Sequence, residues 1–315
     1  MGDWDWRLAR NLGRERIGIE MRRKRITEMM PGLLPLRKKQ KRACFYLKMA
    51  LDKNRYAIHG REEPLEFQVF EASSTVINRD SGFDIQYQYN KAYNLEVASK
   101  PLDGILIRPG ETFSFWKLLK DADRNTPYKE ALALQEGQMS TVDGGGLCQL
   151  SNLLFWMFLH TPLTIVERHS HSAEFFPAAA CNMPEGSDAS VAEGWKDLKA
   201  RNDTRNVFQI KIAVKGDELC GSIRAAGQLN VEYEVYHKNL RYYAVGDDIY
   251  RENDVFRRSV SKSTGAVLDD RRLLHSRSMV KHPLDPGVAV EEAARPEEGP
   301  ALARRRGKFQ RLLGV

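Results

Sequence analysis

The sequence predicts an α+β protein in which an antiparallel or mixed sheet carries a buried helix that opens on a cysteine, with a helical region ahead of it. Three observations carry this prediction. The first 62 residues are dominated by helix formers. Gly144-Gly145-Gly146 runs into an apolar stretch, Leu147 to His160, that is apolar nearly all round, the pattern of a buried helix. Segments beyond residue 197 alternate apolar and polar side chains with the period of strands that have one wet face.

Along the chain, Ile19 to Met30 and Leu36 to Leu51 are rich in Arg, Lys, Leu, Met and Ala, and Pro31-Gly32 breaks them. Residues 1–62 are therefore read as a basic helical region and 63–270 as the α+β domain. Glu66 to Phe70 alternates as a short strand, and Tyr89 to Leu102 reads as a helix stopping near Pro101 and Gly104. Gly104 to Phe115 reads as strand, turn and strand, punctuated by Pro109-Gly110. A loop-rich stretch is expected up to Thr141. The apolar helix stops at Thr161-Pro162, and Leu163 to His171 follows as a strand. Asp197 to Arg201, Val207 to Val214, Leu219 to Ala225 and Val231 to His237 are further strands, and the Gly216-Asp217 turn makes an antiparallel meander of them. Residues 271–315, rich in Pro, Glu, Ala and Arg from about 280, are read as a disordered tail with at most a short terminal helix.

With 42% hydrophobic and 9% aromatic residues, the 315-residue chain can bury a sizeable core. The net charge of +7 gathers at the ends, in Arg22-Arg23-Lys24-Arg25, Lys38-Lys39-Gln40-Lys41-Arg42 and Arg304-Arg305-Arg306. Such runs are usually solvated faces; their functional alternative is peripheral contact with phosphates or anionic lipid head groups. They lack interleaved aromatics and no nucleic-acid module is present, so no nucleic-acid partner is expected. Cys44, Cys148, Cys181 and Cys220 form no CxxC pair, which excludes a zinc ribbon or thioredoxin-like motif. A disulfide framework is not expected in a chain of this length, and Cys44, Cys181 and Cys220 are taken as structural. Met1 to Arg7 does not begin a Sec signal peptide, and the longest apolar run, Leu153 to Leu159, is far short of the roughly 20 residues that span a bilayer. The sequence thus predicts a cytoplasmic protein that does not cross a membrane.

Chemistry concentrates between Asp143 and Ser172. The three glycines permit a sharp bend and close backbone approach. Cys148 falls in the first helical turn, where unpaired N–H groups and the macrodipole favour a thiolate. Ser151 and Asn152, three and four residues on, share its face. On the following strand Glu167, His169 and His171 point the same way. A thiol beside two imidazoles suggests a Cys/His pair, with Asp197 or Glu167 as orienting carboxylate. The Cys148 backbone N–H and the Gln149 amide are candidate oxyanion donors. The bland alternative is that a lone cysteine packs as a small hydrophobe. Cys148, His169 and His171 also make a plausible metal set, but no further ligand stands at ligand spacing, so neither a metal nor another cofactor is expected. His160, at the helix end, is read as capping carbonyls.

These motifs resemble the VanW family, named from a member of the vancomycin-resistance gene clusters. The resemblance starts at Asn90-Lys91-Ala92-Tyr93-Asn94-Leu95 and continues through Ile107 to Trp116, Gly144 to Asn152, Val166 to Ser172 and Lys196 to Lys199, covering roughly residues 85–215 in order and spacing. It loosens after Leu240, where only Tyr250-Arg251-Glu252-Asn253 remains similar. Ser170 stands where the family more often has Asn or Arg. The resemblance implies a link to cell-wall peptidoglycan. Some VanW domains attached to extracytoplasmic peptidoglycan-binding modules act as L,D-transpeptidases through a cysteine thioester. Carried to this chain, Cys148 would attack a stem peptide or precursor and a histidine of the His-x-His segment would move protons. Gly144, Gly145, Gly146, Gln149, Ser151, Asn152, Glu167 and Arg168 would contact the substrate. The cytoplasmic expectation stands against an extracytoplasmic wall substrate. A non-catalytic binding or accessory protein, and a Cys/His metal site, remain the alternatives.

Overall fold

The computed structural model describes residues 34–79, 82–135, 138–175 and 185–292. The helix expected over Ile19 to Met30, and Cys181, lie outside them. The elements run α1 (Leu34–Leu51), β1 (Arg55–Tyr56), β2 (Phe67–Thr75), α2 (Ile85–Ser99), β3 (Leu106–Ile107), β4 (Glu111–Ser114), α3 (Phe115–Leu119), β5 (Glu130–Gln135), β6 (Gln138–Asp143), α4 (Leu147–Leu159), β7 (Thr164–Glu167) and β8 (Ala173–Glu174). They continue with β9 (Lys199–Arg201), β10 (Phe208–Lys215), β11 (Glu218–Ala225), β12 (Val231–Val245), β13 (Asp248–Ser261), β14 (Val267–Val280) and β15 (Val290–Glu292). The fold is α+β, with sheets in the orders β1-β4-β9-β7, β2-β11-β10-β3 and β15-β12-β13-β14-β8, and a separate β5–β6 hairpin.

Helix α4 is the centre of the core. It packs on β2, β11 and α2, and Leu150, Leu153, Leu154, Phe155 and Phe158 are almost fully buried. Each such side chain contributes about 1.5–3 kcal/mol of transfer free energy, so the helix that opens on Cys148 is anchored firmly along its length. No helix among the described residues is long and apolar enough to cross a membrane.

His160 closes α4. Its backbone N–H and its ring Nδ1 meet the carbonyls of Met157 and Trp156, at 3.1 and 2.9 Å, and the ring stacks on Phe70 with centroids 3.7 Å apart. Burial pushes its pKa down to about 4, against the pull of the Trp156 carbonyl. A histidine held neutral stabilises the fold fully above about pH 6.5 and loses that contribution as pH falls through about 4. At roughly 1.4 kcal/mol per pKa unit the loss approaches about 3 kcal/mol. Denaturant melts between pH 7 and pH 4 should show this fall, and His160→Gln should flatten it.

Two expectations are corrected by the topology. The stretch before Thr141 is not all loop: β5 and β6 pair in full register from Glu130↔Asp143 to Gln135↔Gln138. Residues 271–280 do not belong to a tail. They complete β14, which pairs with β13 from Ile249↔Val280 onward, and β15 adds to β12 in parallel. Most of β14 and all of β15 lie within the stretch expected to be disordered. Cys44 is exposed on α1 rather than packed in the core.

Candidate active site

Glycine makes the bend that begins α4. Gly144 and Gly146 have φ of 77° and 92°, the left-handed region that costs other residues about 1–2 kcal/mol. A Cβ on Gly145 would stand 2.2 Å from the Ala131 carbonyl oxygen of β5. Asn94 of α2 ties the same place together: its Nδ2 donates to Gly145 O and Lys129 O at 3.1 and 2.8 Å, and its Oδ1 accepts from Lys129 N–H. Asn90, a turn earlier, donates to Glu130 O. The bend is thus clamped between α2 and the β5–β6 hairpin.

From that bend Cys148 enters a cleft of about 650 Å³, with the hairpin on one side and residues 185–193 on the other. Ser151 and Asn152 share its helix face, as the spacing predicts, but they grip the protein's own backbone. Ser151 Oγ donates to Ala189 O at 2.6 Å, and Asn152 Oδ1 accepts from Ala189 N–H at 2.7 Å. This latch delivers Asp188 to the site.

Asp188 is the residue that sequence reasoning missed. Its Oδ2 accepts from His171 Nδ1 and from His171 backbone N–H, each at 2.6 Å, while its Oδ1 accepts from Arg168 at 2.7 Å. Arg168 also donates to the carbonyls of Asp188 and Gly186, so it holds the acid loop instead of facing the cleft as a substrate contact. A carboxylate can only accept, so His171 Nδ1 carries hydrogen and Nε2 remains for the thiol.

Cys148 and His171 both line the cleft, and the Cys148 thiol donates to Val191 O at 3.7 Å. Burial pushes the Cys148 thiol up, but the neighbouring His171 imidazole and the Val191 contact outweigh it and bring the thiol below its ordinary value. Burial also disfavours the His171 cation, yet Asp188 and Cys148 raise its pKa to about 10. The resting pair is therefore biased toward thiolate and imidazolium.

The long meander positions His171. Ser278 Oγ of β14 donates to His171 O, and Met279 N–H donates to Ser172 O. Fully buried Arg251 of β13 bonds Glu174 at 3.0 Å, and Asn253 donates to Glu185 O at 2.6 Å. The Tyr250-Arg251-Glu252-Asn253 segment thus fastens the chain at residues 174 and 185.

The remaining expected residues lie elsewhere. Strand β7 ends at Glu167, so the expected strand does not reach the histidines and they part company. His169 Nε2 faces Glu167 Oε1 at 3.1 Å, and that carboxylate also holds Lys199 at 2.9 Å. Asp197 is not the orienting acid. Fully buried, it accepts from Ser114 Oγ at 2.6 Å and Trp116 N–H at 3.1 Å, fixing the start of α3, and burial lifts its pKa to about 6. The Gln149 side-chain amide is spent on Ser74 Oγ and Thr75 O, both at 2.8 Å, and its backbone N–H on Gly146 O. Of the expected oxyanion donors only the Cys148 backbone N–H remains, in the first turn, where the helix supplies no acceptor. Ser187 Oγ and Tyr128 OH also line the cleft, both buried and without a hydrogen-bond partner among the described residues.

Fold and site together define an α+β protein with a Cys–His–Asp constellation at a glycine-bent helix start. The family model for VanW like protein matches residues 90–224. The chain is 41% identical over 273 residues to the vancomycin B-type resistance protein VanW of Enterococcus faecalis, covering 87% of this chain and 99% of that protein. It is 29% identical over 141 residues to the uncharacterized protein YoaR of Bacillus subtilis, 45% of each chain. This chain belongs to the VanW family. No solved structure matches it.

Proposed function

We propose that this chain is a cell-wall-linked, cysteine-dependent acyl transferase acting on a peptidoglycan stem peptide or its precursor. The observation that carries the reading is that Cys148, His171 and Asp188 line one cleft, with the His171 ring held through Nδ1 by Asp188 at 2.6 Å. Likeness to a relative named for vancomycin resistance supports the wall connection.

In this reading the Cys148 thiolate attacks the carbonyl carbon after the third stem residue. The carbonyl oxygen takes up the negative charge, facing the Cys148 backbone N–H and the positive end of α4. As the tetrahedral adduct collapses, the C–N bond breaks and the imidazolium of His171 gives its proton to the departing terminal D-residue. A thioester remains on Cys148. An amine from a neighbouring stem attacks it, neutral His171 takes the amine proton, and the new amide leaves with the thiolate restored. Asp188 holds the ring and stabilises its cation in both halves. The Ser187 and Tyr128 hydroxyls serve as hydrogen-bond donors to the polar backbone of the substrate.

Intact-protein mass spectrometry with a synthetic stem tetrapeptide tests this. Wild type should gain the mass of the acyl tripeptide while free D-residue appears, and Cys148→Ala should show neither with its fold intact. If neither form gains an adduct and both bind the peptide equally, the chain is a binding or accessory protein.

A further inference from the structure

Helix α1 presents to solvent a face that such helices normally turn inward. At about 100° per residue, Leu36, Gln40, Ala43, Cys44, Leu47, Ala50 and Leu51 fall in one sector of roughly 120° that contains no charged residue. Leu36, Leu47 and Leu51 are 65%, 58% and 75% exposed. The core is served by the opposite side, through Phe45 and the buried Met49.

The borders of this sector are cationic. Lys39 stands on one side and Arg37, Lys41 and Lys48 on the other, and Leu34–Leu51 contains no acidic residue. Arg42, further round, is paired with Glu193 at 2.8 Å; the border cations make no ion pair among the described residues.

We propose that this face of α1 docks on an anionic lipid bilayer, with the leucines in the head-group boundary and the lysines and arginines on lipid phosphates. An uncharged, largely apolar stripe edged by Lys and Arg is the composition of a helix lying in a membrane interface. Protein interfaces instead deplete lysine and concentrate aromatic anchors, and this sector contains no aromatic residue. Arg42 and Lys120 line the Cys148 cleft, and Arg42 donates to Lys120 O at 3.1 Å. Docking through α1 therefore brings the cleft close to the bilayer surface. The proposal is independent of the acyl-transfer reading.

Sedimentation of the full chain with phosphatidylcholine vesicles, with and without phosphatidylglycerol, tests it. Binding should require the anionic lipid, weaken with salt, and protect Cys44 from a water-soluble maleimide, as read by peptide mass mapping. The triple variant Leu36→Gln, Leu47→Gln, Leu51→Gln should bind about tenfold or more weakly, with unchanged melting temperature and Cys148 alkylation rate. No vesicle binding, or binding and Cys44 protection indifferent to the three substitutions, overturns the proposal; the latter would assign any attraction to the other basic runs. A wild-type dimer that the triple variant dissolves also overturns it, making this face a contact between copies.

Discussion

Asp188→Asn should lower the rate of thioester formation on Cys148 by roughly 10³–10⁴-fold, while Asp197→Asn leaves the reacting pair unchanged. A charged imidazole beside Cys148 favours its thiolate, and His171 is buried, which alone would keep it neutral. The Asp188 hydrogen bond to Nδ1 offsets that burial and fixes the tautomer that leaves Nε2 for sulfur. An amide in its place can present the wrong partner to Nδ1, and loss of orientation at the equivalent position of a Ser-His-Asp triad costs about 10⁴ in kcat. The negative charge of Asp188 also opposes the thiolate directly, but this is the smallest of the influences on Cys148. Removing Asp188 should therefore raise the thiol pKa on balance. Alkylation rates measured against pH give the sign: wild type should keep its thiolate below the ordinary cysteine range, and Asp188→Asn should shift the limb upward. Asp197→Asn should move the melting temperature, since it disturbs acceptors for Ser114 and Trp116, but not that limb. Equal pH profiles for wild type and Asp188→Asn would sink the assignment.

The contrast between these two acids shows what the sequence could and could not reveal. The helix start at Cys148 was legible because three glycines before an apolar run leave few other readings, and the shared face of Cys148, Ser151 and Asn152 follows from spacing alone. Strand β10 and the start of β12 were legible from alternation. Asp188 was not, because it lies in an irregular segment with no period, and only the latch of Ser151 and Asn152 onto Ala189 brings it to the histidine. Alternation misled at the histidines: it presumes a strand, and the β7 ladder ends at Glu167. Asp197 drew attention as an acid opening a strand, yet burial and capping of α3 account for it. The β5–β6 hairpin escaped notice because Ala131 to Leu134 is apolar without alternating and Gln138 to Asp143 keeps no regular period of apolar side chains.

The second large effect is expected at Gly145, whose backbone lies outside the left-handed region and on φ alone would accept alanine. Gly145→Ala should instead be more damaging than Gly144→Ala. Its methyl carbon would stand 2.2 Å from Ala131 O and 2.8 Å from Leu132 O, both backbone atoms of β5 that no rotamer change can move. Either the hairpin shifts, breaking the Asn94 bonds to Lys129 and Gly145, or the start of α4 shifts and carries Cys148 away from His171. Overpacking of this kind costs about 1–3 kcal/mol and more where backbone must yield, or a fall in Tm of roughly 2–10 °C in a chain of this size. Gly144→Ala meets the edge of the Tyr128 ring at 3.2 Å as its nearest contact and should cost about 1–2 kcal/mol from its left-handed φ. Thermal melts rank the two, and Cys148 alkylation measured well below each Tm separates lost stability from lost placement. Gly145→Ala should lose its fast-reacting thiol even when folded, whereas Gly144→Ala should keep it. The reverse order would mean that the bend merely turns the chain and does not set the position of the sulfur.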